Sequence, residues 1–242
     1  MVKVCVIIPC YNEEHRIPLD KFKDFADRFP MFDFCFVNDG SSDRTGEVLD
    51  EFARNNPGRF RFFDQQPNQG KAEAVRNGIN HILATDNYDY VGFLDADLAT
   101  PLEELPELLK VTEEREKVKM VMGARLKRLG ANVQRSNMRH YMGRVFATVV
   151  SVLFRLPVYD SQCGAKLVEA PLASRIFNEP FHSQWLFDVE LLLRVRRIFP
   201  DYVNIIFECP LNEWIEKGGS KIRFSHLLKM PGELFKIYRH YR

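Results

Sequence analysis

With 242 residues, 45% of them hydrophobic and 28% charged, the chain has the composition of an ordinary globular protein of one large or two small domains, not of a fibrous or disordered one. A formal net charge of +1 points to no partner by itself, and no nucleic acid is expected. The longest apolar run, residues 145–154, has ten residues, about half of what a bilayer-crossing helix needs.

In chain order, residues 4–8 read as a first buried strand ended by Pro9, and because the strand pattern already begins at Val2 no signal peptide is expected. Residues 14–28 read as a helix with an awkward start at Pro18. A second strand over 32–37 runs into Asp39-Gly40-Ser41-Ser42-Asp43, which is turn chemistry followed by the cap of a helix over 44–54. A third strand covers 60–63, a helix 71–83 and a fourth strand 88–94. Thr100-Pro101-Leu102-Glu103 reads as a capping box with proline at the first helical position, and Pro106 predicts a kink or a late start. Residues 118–122 form a fifth strand.

Residues 124–136 are polar and basic and are expected to be a mobile loop. A helix with a wide apolar face follows over 137–155, then a short strand near 164–168, a helix over 185–198 and a strand over 203–208. An amphipathic helix at about 225–240 closes the chain. The alternation of strands and helices through residue 123 predicts an α/β fold, a doubly wound and mostly parallel sheet with helices on both faces. The five cysteines (5, 10, 35, 163 and 209) form no Cys-x-x-Cys pair, and three lie in apolar runs, so buried reduced thiols in a cytoplasmic protein are expected.

Four segments fall at one edge of such a sheet. Asp95-Ala96-Asp97 follows the fourth strand, and ligands of open α/β sheets bind at the carboxyl ends of strands. Two hard oxygen ligands two residues apart suit Mg²⁺ or Mn²⁺ that also holds a diphosphate. Pro9-Cys10-Tyr11-Asn12-Glu13-Glu14 follows the first strand, Asn38-Asp39-Gly40-Ser41 ends the second, and Gly70-Lys71 opens the third helix. An aromatic ring, several carboxylates, a lysine and helix N-termini together suit a nucleotide diphosphate. Alone, Asp-x-Asp can merely cap a helix, Asp39-Gly40 can be only a turn, and Gly70-Lys71 can be only a helix start. There is no P-loop and no Gly-x-Gly-x-x-Gly.

Together these segments resemble the family 2 glycosyltransferases of the GT-A fold. Asp160-Ser161-Gln162-Cys163-Gly164-Ala165-Lys166, Trp185-Leu186-Phe187-Asp188-Val189-Glu190 and Asn212-Glu213-Trp214 with Gly219-Ser220-Lys221 are similar to the dolichyl-phosphate glucose and mannose synthase branch. The resemblance implies a single domain: residues 1–123 as the nucleotide-sugar half, 124–225 as the acceptor half, and 225–242 as a basic tail. It implies that Pro9, Tyr11 and Glu13 line the nucleoside pocket and that Asp39 contacts base or ribose. It also implies that Lys71 lies near the nucleotide, that Asp95 faces the sugar or ribose, and that Asp97 holds the metal. Gly123-Ala124-Arg125 is similar to the family's Gly-Ser-Arg, so Arg125 is expected at a phosphate, with Asp160 and Gln162 bordering the acceptor. Two departures stand out. Some relatives have a glutamine as a further metal ligand where this chain has Ala99, and Asn38 replaces an aspartate.

The implied reaction is inverting transfer of a hexose from a nucleotide diphosphate sugar, UDP-glucose favoured over GDP-mannose, to a polyprenyl phosphate. A phosphate acceptor is already anionic near neutrality, whereas a sugar hydroxyl needs a base, for which Asp160, Asp188 and Glu190 are the candidates. Asp188 and Glu190, two apart on a helix, do not share a face, so at most one is expected to point at substrate. Residues 125–144 carry six Lys or Arg and no acid, and residues 221–242 carry six against Glu233. With its interleaved apolar residues, the tail helix is expected to lie on an anionic membrane at its cytoplasmic face. The competing readings are the same donor with a soluble saccharide or protein acceptor, and a non-catalytic nucleotide-sugar-binding protein. A nucleotidyltransferase lacks support because no Gly-rich loop follows the first strand.

Overall fold

The computed structural model describes residues 2–217 and 224–242, the side chains of 224–229 excepted. Gly219-Ser220-Lys221, Arg223 and the side chains of Leu227, Leu228 and Lys229 therefore lie outside the described residues.

The first half alternates as β1 (Val4–Cys10), α1 (Leu19–Arg28), β2 (Phe32–Asp39), α2 (Thr45–Asn55), β3 (Phe60–Gln65), α3 (Lys71–Thr85), β4 (Tyr90–Phe93), α4 (Glu104–Glu114) and β5 (Met120–Ala124). The second half runs β6 (Asn132–Gln134), α5 (Asn137–Phe154), β7 (Lys166–Glu169), α6 (Ala170–Ile176), α7 (Phe187–Ile198), α8 (Tyr202–Ile205), β8 (Ile206–Pro210), β9 (Glu213–Ile215) and α9 (Phe224–Tyr241). Seven strands form one sheet in the order β3-β2-β1-β4-β7-β5-β8, parallel except for β7, which runs antiparallel to both β4 and β5. The order reverses direction around β1 and β4, which places a crevice at their carboxyl ends.

β1 is apolar without alternation because helices cover both of its faces. Val4, Val6 and Ile8 pack with Phe22, Phe25, Phe34 and Phe36 under α1 and α2. Cys5 and Ile7 pack on the other side with Val75 and Ile79 of α3 and with residues of α7. None of the five cysteines is in a disulfide, and burial pushes Cys35 up to about 12 and Cys163 up to about 11. These two are therefore packing residues, not reactive ones.

Several elements depart from the sequence expectation. Helix α1 begins only after Pro18, because residues 13–16 close a separate turn from Arg16 N–H to the Glu13 carbonyl. Helix α4 starts at Glu104, past the expected capping box, so Pro106 falls in its first turn, where no intrahelical donor is required. The expected loop over 124–136 contains β6, paired in parallel with β9. That pairing joins two three-residue segments some eighty positions apart, and no local apolar period announces it.

The largest departure concerns the tail. Leu234 and Ile237 of α9 are buried in the core beside α7, with Met230, Tyr238 and Tyr241 packed around them. These described apolar residues of the side expected to meet a membrane pack into the domain, while Phe235 stays exposed. Among the described residues, no helix is long and apolar enough to cross a membrane.

Candidate active site

The loops after β1, β2 and β4 meet at one sheet edge and are bonded to one another. After β1, Asn12 takes a left-handed backbone (φ 52°), its N–H donates to Ser41 Oγ (3.1 Å), and its Oδ1 accepts from Ser42 N–H (2.9 Å). Glu13 N–H donates to Thr45 Oγ1 at 2.8 Å, and the buried Glu13 carboxylate pairs with Arg16 at 3.1 Å. The Tyr11 ring is 39% exposed beside the crevice, an aromatic face at the same sheet edge.

Asp39 has a different environment from the one expected. Its carboxylate is buried and accepts from Gln65 Nε2 (2.6 Å), Gln69 N–H (2.8 Å), Asn68 Nδ2 (3.0 Å) and Gly70 N–H (2.9 Å). Four donors fill the lone-pair sites of a carboxylate. A nucleobase or ribose donor would therefore have to displace one of them. What Asp39 does in this state is hold the loop that delivers Lys71. Gly40 beside it has φ 61°, and a Cβ there would overlap the Asn68 backbone, so no other residue fits this crossing.

Lys71, at the start of α3, forms an ion pair with Asp95 Oδ1. Burial disfavours the ammonium, but Asp95, Asp188 and Asp97 together hold its pKa above the ordinary value. Asp97 accepts from Ala99 N–H at 3.0 Å, and Leu98 takes a left-handed φ of 50° in the same turn. Among the described residues, no Lys or Arg forms an ion pair with Asp97. Burial raises its pKa, and the charges of Asp95 and Glu13 raise it further. The edge is thus short of positive charge, which fits a divalent cation. Among the described residues, no group of three or more His, Cys, Asp or Glu could hold one, so substrate oxygens and water would have to complete the shell. Gly164 packs against Asp95 so closely that a Cβ would overlap the carboxylate, and this brings the 160–164 loop to the Asp95 edge.

The side expected to border the acceptor is built from closed ion pairs. Arg125, just after β5, donates through Nε and Nη2 to the two oxygens of Asp160, each at 2.7 Å, and its backbone N–H adds a third bond at 3.0 Å. Burial opposes the charge on Asp160, but these bonds outweigh it and lower its pKa to about 2. Arg125, expected at a phosphate, has its fork occupied by Asp160, and its guanidinium lies 5.5 Å from the Trp214 ring centre. Gln162 is bonded to the Trp185 carbonyl at 3.4 Å. Asp188 bonds Lys166 Nζ at 2.6 Å. Glu190 points elsewhere, accepting from Arg194 (2.9 Å), His182 N–H (2.9 Å) and Tyr241 OH (3.0 Å). The two acids of α7 diverge as their spacing predicts.

Lys166 closes the Asp160–Lys166 segment of the sequence reading, which gave it no role. It is fully buried, and its three protons go to the Ser161 carbonyl (3.2 Å), the Cys163 carbonyl (2.7 Å) and Asp188. It fastens the 160–164 loop to the start of α7. The signal was present as a lone lysine at the head of the apolar strand Lys166-Leu167-Val168. Glu208 does similar work from β8, accepting from the backbone N–H of Tyr159 (2.8 Å) and Asp160 (2.8 Å).

The sequence pattern described as glycosyl transferase family 2 matches residues 5–170. The dolichyl-phosphate beta-glucosyltransferase ALG5C of Trichomonas vaginalis is 32% identical over 98% of this chain and 71% of its own length. The dolichyl-phosphate beta-glucosyltransferase of Saccharomyces cerevisiae is 30% identical over 96% of this chain and 73% of its own. Among solved structures, the glucosyl-3-phosphoglycerate synthase of Mycobacterium tuberculosis, crystallised with Mn²⁺, UDP and phosphoglyceric acid, superposes with a TM-score of 0.73. That match covers 99% of this chain and 78% of the other at 17% identity, and it is a likeness of fold.

Proposed function

The chain belongs to glycosyl transferase family 2, and from that premise we propose that it transfers glucose from UDP-glucose to dolichyl phosphate with inversion at the anomeric carbon. Similarity to dolichyl-phosphate beta-glucosyltransferases over nearly all of this chain supports both sugar and acceptor. The observation that carries the acceptor assignment is the state of the three carboxylates put forward as bases: Asp160, Asp188 and Glu190 are each bonded to a cation. A hydroxyl acceptor would find no ready proton acceptor among them. A phosphate monoester, with a second pKa near about 6, needs none.

In this reading the nucleoside ring rests on Tyr11, with Pro9 and Glu13 beside it and Asp39 fixing the loop below. Asp95 and Asp97 would hold Mg²⁺ or Mn²⁺, which supplies charge to the departing diphosphate when bound. Lys71 turns from Asp95 toward the leaving group, giving a second positive charge where negative charge develops. An acceptor phosphate oxygen attacks C1 from the face opposite the diphosphate. The new C1–O bond forms as the bond to UDP breaks, so no proton has to move. Arg125, locked by Asp160, and Gln162 on the same loop form the wall against which the acceptor phosphate is aligned. Because the acceptor's lipid is confined to a membrane, the reading also carries a peripheral encounter with a membrane, at its cytoplasmic face.

The experiment is transfer from radiolabelled UDP-glucose and, separately, GDP-mannose into organic-extractable material in the presence of dolichyl phosphate and Mn²⁺. Mild-acid-labile label from UDP-glucose is the expected result. Label from GDP-mannose alone, or none from either donor, would overturn the assignment.

A further inference from the structure

Helix α5 is apolar on two sides. Ala147, Val150 and Phe154 are buried in the core. On the nearly opposite side Met138, Tyr141, Met142, Val145, Val149 and Val152 are exposed, with Met138 at 72%, Val145 at 66% and Val152 at 75%. At about 100° per residue these six, with Leu153, fall in a stripe roughly 120° wide and roughly 22 Å long. Most of the large apolar side chains exposed among the described residues lie on this one helix, with Leu129 of the preceding loop fully exposed as well. A surface helix of a soluble protein has one such stripe, facing inward, and a second one facing out marks an interaction site.

Charge around the stripe identifies its occupant. Residues 117–159 hold nine Lys or Arg and no Asp or Glu. Lys127, Arg128 and Arg155 are exposed near the two ends of the helix. Arg139 is engaged by Glu216, which also caps the helix start by accepting Ser136 N–H at 3.0 Å. An apolar stripe on an acid-free stretch of chain, rimmed by cations with Glu216 already paired to Arg139, is complementary to the interface of an anionic bilayer. The stripe is also tied to the acceptor wall. Arg144 donates to the Tyr159 carbonyl at 2.7 Å and lies 3.6 Å from the Tyr159 ring centre, next to Asp160.

We propose that the exposed stripe of α5 is the surface that rests in the membrane and brings the 159–164 loop to a lipid phosphate. The proposal rests on the lipid-phosphate reading of the site and names the surface that reading requires. Its occupant is an anionic lipid surface, with the helix lying in the interface plane.

The test pairs wild type with the double variant Val145→Asp, Val152→Asp, both at well-exposed positions where folding is not at stake. Co-sedimentation is measured with phosphatidylserine-rich and with pure phosphatidylcholine vesicles. UDP binding and glucosylation of the short, water-soluble citronellyl phosphate are measured alongside. Wild type is expected to pellet with the anionic vesicles, and the variant to partition about tenfold less or weaker still while keeping UDP binding and soluble transfer. A variant that pellets like wild type overturns the proposal. So does a wild-type dimer that the variant converts to a monomer in light scattering with vesicle binding unchanged, since the stripe would then seat a second copy. If wild type binds vesicles through α5 but glucosylates no phosphate acceptor, the functional reading fails and the surface stands. Transfer to citronellyl phosphate without any vesicle binding has the reverse meaning.

Discussion

The two sides of the crevice handle charge in opposite ways. On the edge proposed to hold the donor, Asp95 shares one lysine with a neighbourhood of acids, and Asp97 has no ion-pair partner among the described residues. On the side proposed to face the acceptor, Asp160, Asp188 and Glu190 each face a dedicated cation. The first arrangement is incomplete until a positively charged or metal-bearing ligand arrives, and the protein bears that cost in its folded state. The second is complete in the empty protein, and it sets geometry instead of supplying reactive groups. The contrast separates residues whose loss should damage chemistry and spare the fold from residues whose loss should damage the fold first.

The largest effect is expected at Asp97. Asp97→Asn should lower glucose transfer about 10³-fold, and chelation of divalent metal should bring wild type to the same level. Stability runs the other way. A carboxylate whose folded pKa is raised destabilises the folded state above that pKa, so the amide should melt no lower than wild type at neutral pH. Calorimetric melting beside the transfer assay checks both, and a lower melting temperature would break the comparison.

On the other side, Asp160→Ala leaves the buried Arg125 guanidinium without its partner. It should cost about 3 kcal/mol of stability in urea unfolding. Acid gives a milder version of the same loss. The folded pKa of Asp160, about 2, lies below its ordinary 3.8. The pair's contribution is therefore complete above roughly pH 4 and falls away as pH drops toward 2, removing about 2 kcal/mol. Unfolding curves of wild type and Asp160→Asn across that interval should converge at the acid end.

The smallest effect is expected at the tail. Tyr241→Phe removes the hydroxyl that donates to Glu190 and accepts from Arg194, and should cost about 1 kcal/mol without altering vesicle binding. Reduced vesicle binding in this variant would return the membrane role to α9.

Much of this was legible in the chain. The apolar runs around residues 4–8, 32–37 and 118–122 are strands because both faces of the sheet are covered, and a continuous apolar run signals that directly. The four motifs land on one edge because a parallel sheet places all its strand ends together. What was not legible depends on contacts between distant residues. Nothing local says that Asp39 is enclosed by the loop that reaches Lys71, or that Lys166 joins Asp188 across twenty-two positions. The strand Asn132–Gln134 exists only because Glu213–Ile215 lies beside it. The sequence also misleads where two amphipathic helices compete. The tail helix and α5 both carry apolar and basic residues, and only packing decides that Leu234 and Ile237 turn inward while Val145 and Val152 stay outside.

The account's central claim is that the acceptor arrives already anionic, because the carboxylates beside it are closed into ion pairs. The direct test is to compare dolichyl phosphate with dolichol, the same lipid ending in a hydroxyl, as acceptor for UDP-glucose under identical detergent and metal conditions. The account predicts glucosylation of the phosphate and none of the alcohol. Comparable transfer to dolichol would require a working base at the acceptor side and would contradict it.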